Sequence, residues 1–391
     1  MTDEIGKFIN FWGKILVFLY ILIFPFGQLL RFEVILAKKP IPVIATDLVT
    51  SFSLITFLFS KKPKINRYFF SFFFFCLFSL LISLSYFNFH QVLFGSLYLF
   101  RLLIYYSFFV LVWNLSNYNP TFKKNVLDLY IVIMIFNIFL GWLQYFLYKD
   151  LTYLKFYGWD DHLGRLVGTF FDPGFTGIII CSAFFVTFLK YIYSKKKIYL
   201  YLSLIFLISL LFTYSRASYL ALLFGLILLF LVKKKVKYLI SFSLIIFLMM
   251  LILPRGKGEG VRLERTKSIL LRMENYKETL DVFRKSPLFG IGFNNICWAK
   301  NNLFYEETTS HSCFGSDSSF LLILATTGTL GFLAFLNLLK NVFLNLSKNY
   351  YGELAKIFLF STIIHCLFVN SLFYPFVMGI SALYLGLSFR E

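Results

Sequence analysis

The feature that most constrains this chain is a succession of apolar segments whose lengths approach or exceed the roughly 20 residues that cross a bilayer as a helix. Twelve such segments lie near 12–30, 42–59, 68–86, 93–115, 125–148, 174–193, 198–214, 216–232, 236–253, 318–346, 354–371 and 373–389. Inside lipid, backbone polar groups must be satisfied within the segment, which favours helices. The pattern predicts an all-α polytopic membrane protein with about twelve transmembrane helices, forming a single transmembrane domain over 1–391.

The distribution of charge supports this class and argues against nucleic-acid binding. Hydrophobic residues make up 59% of the chain and charged residues 15%, while the net charge is +19. Thirteen cations lie in four clusters within short loops: Lys61, Lys62, Lys64 and Arg67; Lys123 and Lys124; Lys195, Lys196 and Lys197; and Lys233, Lys234, Lys235 and Lys237. If the predicted spans alternate, all four clusters fall on one side. Short loops rich in lysine and arginine stay cytoplasmic, so both termini are expected there. The loop with Arg31, Lys38 and Lys39 would then face outward, against the rule.

One long polar stretch, 254–317, interrupts the apolar pattern. It contains ten Lys/Arg and eight Asp/Glu, and the same alternation places it outside the membrane as an extracytoplasmic loop. Residues 272–283 have the periodicity of an amphipathic helix that would lie over the bundle. Cys297 and Cys313 in this loop could pair in an oxidising compartment or remain free thiols. No Cys/His grouping has metal-ligand spacing, and we expect neither a metal nor another cofactor.

Four motifs lie on the predicted outer face or at the ends of spans. They are Arg-Leu-Val-Gly-Thr-Phe-Phe-Asp-Pro-Gly-Phe-Thr-Gly at 165–177, Thr-Tyr-Ser-Arg-Ala-Ser at 213–218, Arg-Met-Glu-Asn-Tyr at 272–276 followed by Pro-Leu-Phe-Gly-Ile-Gly-Phe at 287–293, and Asp-Ser-Ser-Phe-Leu at 317–321 followed by Thr-Gly-Thr-Leu-Gly at 327–331. In order and spacing this set resembles the O-antigen ligase and polymerase superfamily of bacterial envelope glycan assembly. The resemblance covers roughly 165–335.

The resemblance implies a glycosyltransferase of the bacterial cytoplasmic membrane. Its donor would be a glycan on undecaprenyl diphosphate, and its acceptor a hydroxyl of a glycan, lipid or protein on the outer face. Arginine suits the departing diphosphate because its planar guanidinium binds phosphate oxygens bidentately and stays charged. Arg216 and Arg272 are the expected diphosphate ligands, with Arg165 as a supporting contact.

The acceptor hydroxyl also needs a group that removes or polarises its proton. Where the family has His-Asn before its Gly-x-x-Gly helix, this chain has Asp317 and Ser318. The base is therefore Asp317 by position or His311, six residues upstream, by chemistry.

Each of these residues also has a structural interpretation. Arg216 could extend to the membrane interface from a span end, and Arg272 could be one cation on a solvated helix face. Asp317 could be a helix N-cap, His311 a solvated loop residue, and Arg165 a ligand of lipid headgroups.

Two other classes of function remain open. A transporter or flippase would concentrate ionisable groups near the bilayer midplane and often contains repeated halves with broken helices, whereas these charges collect at one face. A membrane scaffold would explain the hydrophobicity but not the motifs. Ligation, polymerisation and protein glycosylation share the same chemistry, so the sequence does not separate them.

Overall fold

The computed structural model describes residues 3–36, 39–254, 256, 258–304, 313 and 315–390. The chain is 77% helical. In chain order the α-helices are α1 (Asp3–Ile23), α2 (Ala45–Ser51), α3 (Ser53–Phe59), α4 (Asn66–Ser83), α5 (Phe89–Tyr118), α6 (Pro120–Leu147), α7 (Pro173–Ser194), α8 (Lys197–Leu211), α9 (Arg216–Val232), α10 (Lys237–Ile252), α11 (Lys267–Lys285), α12 (Ile296–Phe304), α13 (Ser319–Asn345), α14 (Tyr350–His365) and α15 (Pro375–Ser388).

The predicted class, an all-α membrane protein, is confirmed, and every apolar segment contains helix. By length and composition, six helical segments of the described chain could cross a membrane: Ile9–Leu30, Asn66–Ser83, Phe89–Tyr118, Thr121–Leu147, Pro173–Ser194 and Ser319–Asn345. Five further apolar helices have 10–17 residues: Ala45–Phe59, Lys197–Leu211, Arg216–Val232, Leu239–Ile252 and Pro375–Ser388. The total of twelve crossings therefore stays a prediction.

A short β-hairpin departs from the all-helical expectation. Strand β1 (Arg31–Leu36) pairs antiparallel with β2 (Lys39–Ile44), and Arg31 lies opposite Ile44. The predicted span 42–59 thus begins as a strand, because Pro42 cannot donate the backbone N–H that a helix interior needs. The Arg31 guanidinium lies over the Trp159 ring, 5.4 Å from its centroid. The hairpin is therefore close to the loop between α6 and α7.

The basic loops converge at one end of the bundle, as the alternation of spans predicts. The Lys233 ammonium pairs with Glu353 at 2.6 Å and contacts Tyr193 at the end of α7. At the same end of the bundle, the Asn114 side-chain amide at the end of α5 donates to the Lys61 carbonyl at 3.0 Å. The 149–172 and 254–268 segments lie at the opposite end, which we call the outer end. Which end faces the cytoplasm remains a prediction from the charge pattern.

The core is built around α7, α14, α15 and the second half of α5, whose residues are mostly buried. In contrast, α10 exposes large apolar side chains along its length, among them Ile240, Leu244 and Ile252. A helix that is apolar on all sides and exposed in the protein is suited to contact with lipid.

Candidate functional site

The outer end of the bundle holds four arginine side chains that come from three separate parts of the chain. Arg165 lies in the loop before α7, Arg216 begins α9, and Arg265 and Arg272 lie just before and within α11. Their charges affect one another, as the pKa shifts described below show. We call Arg165, Arg216, Arg265 and Arg272 the arginine cluster.

Arg165 joins two of the four sequence motifs. Its Nε donates to the Thr213 carbonyl at 2.9 Å, and its Nη2 donates to the Tyr214 carbonyl at 3.2 Å. Burial lowers the pKa of this guanidinium to about 10, and the positive charges of Arg265 and Arg272 act in the same direction. Arg165 thus packs inside the site rather than reaching out to lipid headgroups.

Arg216 fixes the segment that leads into α11. The Ser215 hydroxyl caps α9 by accepting from the Ser218 N–H, which places Arg216 in the first turn. The Arg216 guanidinium donates to the carbonyls of Leu263 at 3.3 Å and Arg265 at 2.9 Å, and to the Ser268 hydroxyl at 2.7 Å. These bonds direct Arg216 toward the segment that precedes α11. Arg216 is therefore not simply a cation that extends to the membrane interface.

Arg265 was missed by sequence reasoning. Its Nη1 donates to the carbonyls of Gly260 at 2.6 Å and Arg262 at 2.8 Å, and its Nη2 to the Tyr214 carbonyl at 3.4 Å. Burial lowers the pKa of Arg265 to about 10, with contributions from the charges on Arg216 and Arg272. No motif marks this residue among the cations of the outer segment. Arg265 and Arg165 both donate to the Tyr214 carbonyl. This shared acceptor is visible only in the folded protein.

Arg272 differs from the other three because its guanidinium makes no hydrogen bond or ion pair with any residue that the structure describes. It is half-buried on α11, and its charge lowers the pKa values of Arg165, Arg265 and the Asp317 carboxyl. The donors of Arg272 are therefore unused by the described residues. A cluster of positive charges with one uncommitted guanidinium is suited to binding an anion.

Asp317 lies beside this cluster, and it is not the helix cap that its position allows. Ser318 is the N-cap of α13 and accepts from the Leu321 N–H at 3.4 Å. The Asp317 N–H donates to Asn275 Oδ1 on α11 at 2.9 Å. Its carboxylate accepts no hydrogen bond from the described residues. Burial raises the pKa of Asp317, while the charges on Arg272 and Lys300 oppose that shift.

His311, the other predicted base, lies outside the described residues. A different histidine is part of the site, although no sequence motif marks it. His365 at the end of α14 is fully buried, with its Nε2 3.2 Å from the Ser218 hydroxyl and its Nδ1 2.6 Å from the Ser371 hydroxyl. The Ser218 hydroxyl also donates to Ser215 Oγ at 2.8 Å. This polar network supports the first turn of α9, on which Arg216 lies.

The remaining two motif segments bind each other. The Ile291 and Gly292 N–H groups donate to the Ala325 and Thr326 carbonyls at 3.2 and 3.1 Å, and the Thr329 N–H donates to the Pro287 carbonyl at 2.8 Å. The pairing is possible because α13 is interrupted at Gly328, where φ is +67°. The loop thereby supplies partners for backbone groups that the interruption frees inside the apolar region.

Two further bonds lie in the segment between α10 and α13. Cys297 and Cys313 form a disulfide, which resolves the alternative that the sequence left open. The Lys300 ammonium, which is almost completely buried, pairs with Glu278 of α11 at 2.8 Å. The disulfide and the ion pair connect α12 to the segment before α13 and to α11, the two elements that carry Asp317 and Arg272.

This arrangement can bind an anion and take up a proton at adjacent positions. The arginine cluster supplies the positive charge, and Asp317 supplies a carboxylate whose hydrogen-bonding capacity is unused by the described residues. The described residues include no group of three or more His, Cys, Asp or Glu that could hold a metal ion.

Comparison with known proteins supports the resemblance seen in the sequence. Residues 201–336 match the model of a family described as O-antigen ligase. The matched region contains Arg216, Arg265, Arg272 and Asp317, whereas Arg165 precedes it and His365 follows it. Among curated proteins, no significant match to the chain was found.

Proposed function

We propose that this membrane protein transfers a glycan from undecaprenyl diphosphate to an acceptor hydroxyl, since residues 201–336 match the O-antigen ligase family. The family indicates a membrane glycosyltransferase of the ligase or polymerase type. The observation that carries the finer proposal is the arginine cluster, with the uncommitted Arg272 guanidinium beside the Asp317 carboxylate. A diphosphate leaving group and an acceptor hydroxyl require these two kinds of group.

In the proposed reaction, the acceptor oxygen forms a bond to the anomeric carbon of the donor. The bond between that carbon and the diphosphate oxygen breaks, and its electron pair leaves with the diphosphate. Arg272 binds the diphosphate oxygens as the negative charge grows. Arg216 contributes its remaining N–H donors, while Arg165 and Arg265 contribute positive potential from fixed positions.

The acceptor proton passes to Asp317 in this scheme. Because its carboxylate accepts no hydrogen bond from described residues, it is free to accept one from a substrate hydroxyl. His311 remains the alternative base by its chemistry, whereas Asp317 is favoured by its position in the motif. The scheme requires the outer end of the bundle to face the periplasmic or extracellular side.

The test is release of undecaprenyl diphosphate by purified protein in liposomes, with an undecaprenyl-diphosphate-linked oligosaccharide as donor. We expect the wild type to release the carrier and Arg272→Ala to lose most of that activity. Arg284→Ala is the matched control, because Arg284 lies on the same helix, is exposed and pairs with Asp281. Asp317→Asn and His311→Ala identify the base, and whichever variant retains activity eliminates its residue.

Transport is the second candidate, and the interruption of α13 at Gly328 favours it, since broken membrane helices occur in transporters. In this chain, however, the interruption is filled by the 287–292 loop and not by an ionisable site. Movement of the lipid-linked glycan across liposomes without release of undecaprenyl diphosphate would establish transport and refute the transferase proposal.

A further inference from the structure

The connection between α14 and α15 is short, yet it contacts three of the helices on which the proposed site depends. We call residues 365–372 the α14–α15 turn. Its partners are the first turn of α9, which carries Arg216, the first turn of α13, which follows Asp317, and the middle of α11, which carries Arg272. These helices are far apart in sequence, so the turn is a common point of support for them.

On α13, the turn holds the first residue of the helix. The Ser319 N–H donates to the Cys366 carbonyl at 2.9 Å. The Ser319 hydroxyl donates to Asn370 Oδ1 at 3.1 Å and accepts from the Leu372 N–H at 3.2 Å. Ser319 is fully buried and lies two residues after Asp317. Three bonds to one residue thus fix the start of α13 relative to the turn.

On α11, the turn is bound one helical turn away from Arg272. The Tyr276 hydroxyl donates to the Leu367 carbonyl. The neighbouring Asn275 side chain accepts from the Asp317 N–H at 2.9 Å. Helix α11 is therefore tied both to the α14–α15 turn and to the segment that enters α13.

On α9, the turn is joined through His365. This side chain is fully buried, with its Nε2 3.2 Å from the Ser218 hydroxyl and its Nδ1 2.6 Å from the Ser371 hydroxyl. The single proton of the Ser218 hydroxyl goes to Ser215 Oγ at 2.8 Å or to the Gly174 carbonyl at 3.2 Å. Toward His365, the Ser218 oxygen therefore accepts. A neutral imidazole has one N–H and one acceptor nitrogen, so in this form Nε2 donates to Ser218 and Nδ1 accepts from Ser371.

We infer that His365 is a positioning residue, which holds Arg216 in register with Asp317 through the α14–α15 turn. It acts through Ser218 and through Ser215, the N-cap at which α9 begins. This role rests on the proposed function, in which Arg216 helps to bind the diphosphate. It goes further by assigning a part in the reaction to a residue that follows the region matched by the family model. A misplacement of about 1 Å can reduce a rate by about 10²-fold, so the register of the two sides has a kinetic consequence.

The test is a double-mutant cycle between His365 and Arg216, read by the affinity for undecaprenyl diphosphate without turnover and by carrier release. His365→Phe should weaken binding by about tenfold or more, since one charge-assisted hydrogen bond corresponds to roughly 10- to 100-fold in affinity. In the Arg216→Ala background, His365→Phe should cause no further loss, because residues that act as a unit are not additive. Full additivity of the two substitutions would overturn the inference.

Two conservative substitutions separate positioning from simple packing. His365→Gln can place an amide near the position of Nε2 and keep the contact with Ser218, whereas His365→Asn keeps only the contact with Ser371. We expect His365→Gln to recover most of the affinity and the carrier release that His365→Phe loses, and His365→Asn to recover little. Equal losses in the two amide variants would overturn the role.

Thr362→Val is the matched control. Thr362 is buried one turn earlier on α14, and its hydroxyl donates to the Phe358 carbonyl of the same helix at 2.8 Å. This variant should bind undecaprenyl diphosphate as the wild type does. A loss as large as that of His365→Phe would show that any polar change in α14 has this effect, and would refute a specific role for His365.

Failure of this role and failure of the proposed function give different results. If the wild type binds undecaprenyl diphosphate but releases none from the donor, the proposed function fails, while a non-additive loss of binding still supports positioning by His365. If the wild type releases the carrier and His365→Phe adds its full effect to that of Arg216→Ala, positioning fails and the proposed function stands. If the wild type does not bind undecaprenyl diphosphate, both fail. Should thermal unfolding show that His365→Phe does not fold, the two amide variants decide the question in its place.

Discussion

Asp317 and Arg272 form the pair on which the proposed chemistry depends, and neither side chain is committed to a protein partner among the described residues. The burial of Asp317 raises its pKa, and Arg272 limits that rise. A carboxylate with a raised pKa accepts a proton more readily than an exposed one. That property suits a general base, whose pKa should approach the working pH.

The first prediction is a pH profile with a displaced acidic limb. Since the base must be deprotonated and its pKa is raised, kcat/KM should fall with decreasing pH at a higher pH than an ordinary carboxyl of pKa about 3.9 would give. Asp317→Asn should reduce kcat by roughly 10²- to 10⁴-fold and remove this limb from the residual activity. An unchanged profile in Asp317→Asn would assign the proton transfer to another group.

The second prediction concerns the shape of the cation rather than its charge. Arg272→Lys keeps the positive charge but loses the bidentate geometry, so we expect it to recover only a small part of the activity that Arg272→Ala loses. Carrier release at saturating donor measures this. Arg284→Lys, at an exposed position of the same helix, should match the wild type. Full recovery by lysine would mean that Arg272 supplies only electrostatic potential.

At the residue scale, sequence motifs identify some of the site residues. They do not identify residues that reach the site only through the packing of distant parts of the chain. Arg272 and Asp317 lie in motifs and were identified, although the role of each stays a prediction. Arg265 and His365 were not identified, because their contacts come from distant parts of the chain. His365 lies 147 residues from Ser218 in sequence, and no local pattern encodes that pairing.

At the level of elements, the most informative contact is between the 287–292 loop and the interruption in α13. A Cβ atom at Gly328 would lie 2.3 Å from the Leu288 carbonyl oxygen, at a φ of +67° that side-chain-bearing residues disfavour. Gly328 thus allows the 287–292 loop to approach the helix backbone.

The third prediction follows from that contact. Gly328→Ala should destabilise the protein by about 2–4 kcal/mol, since overpacking adds to backbone strain. Thermal unfolding in detergent measures the change. Gly141→Ala on α6 is the control, because its φ is ordinary and its closest neighbour is a flexible leucine side chain at 3.1 Å. Equal effects of the two substitutions would show that the interruption is not specifically required.

Helix α11 shows what periodicity can and cannot predict. An amphipathic helix was expected over 272–283 and is present, but its apolar residues are not all buried. Met273 is 62% exposed, whereas Thr279 and Val282 are buried. The Asn275 and Thr279 hydrogen bonds to the segment before α13 fix the orientation of the helix. Polar contacts with a distant segment thus outweigh the hydrophobic pattern of the helix itself.

The fourth prediction is that the disulfide between Cys297 and Cys313 stabilises the protein. Cys297 and Cys313 are 16 residues apart, and closing such a loop contributes about 3 kcal/mol on chain-entropy grounds. Cys297→Ser with Cys313→Ser should therefore lower the unfolding temperature, and reductant should do the same to the wild type only. Cys181→Ser, at a buried free thiol, controls for substitution of a cysteine. A reductant effect that persists in the double variant would exclude the disulfide as its cause.

At the scale of the whole molecule, the membrane class was predictable because apolar segments of sufficient length leave few alternatives. The number of crossings was less predictable, because several of the helices are shorter than the hydrocarbon core requires and only packing supports them. The β-hairpin was missed because the last residues of β2 run directly into the apolar segment predicted at 42–59. The convergence of the basic loops at one end agrees with the alternation of spans, but convergence alone does not give orientation.

The last prediction is that orientation. Lys124 and Lys155 are exposed near opposite ends of the bundle, one in a basic loop and the other in the outer loop before α7. In intact cells, an impermeant thiol reagent should label Lys155→Cys, and should label Lys124→Cys only after permeabilisation. The free cysteines of the described chain are buried and provide a low background. The reverse pattern would place the arginine cluster and Asp317 in the cytoplasm. Transfer at the outer face would then be impossible, whatever the arginine variants showed in detergent.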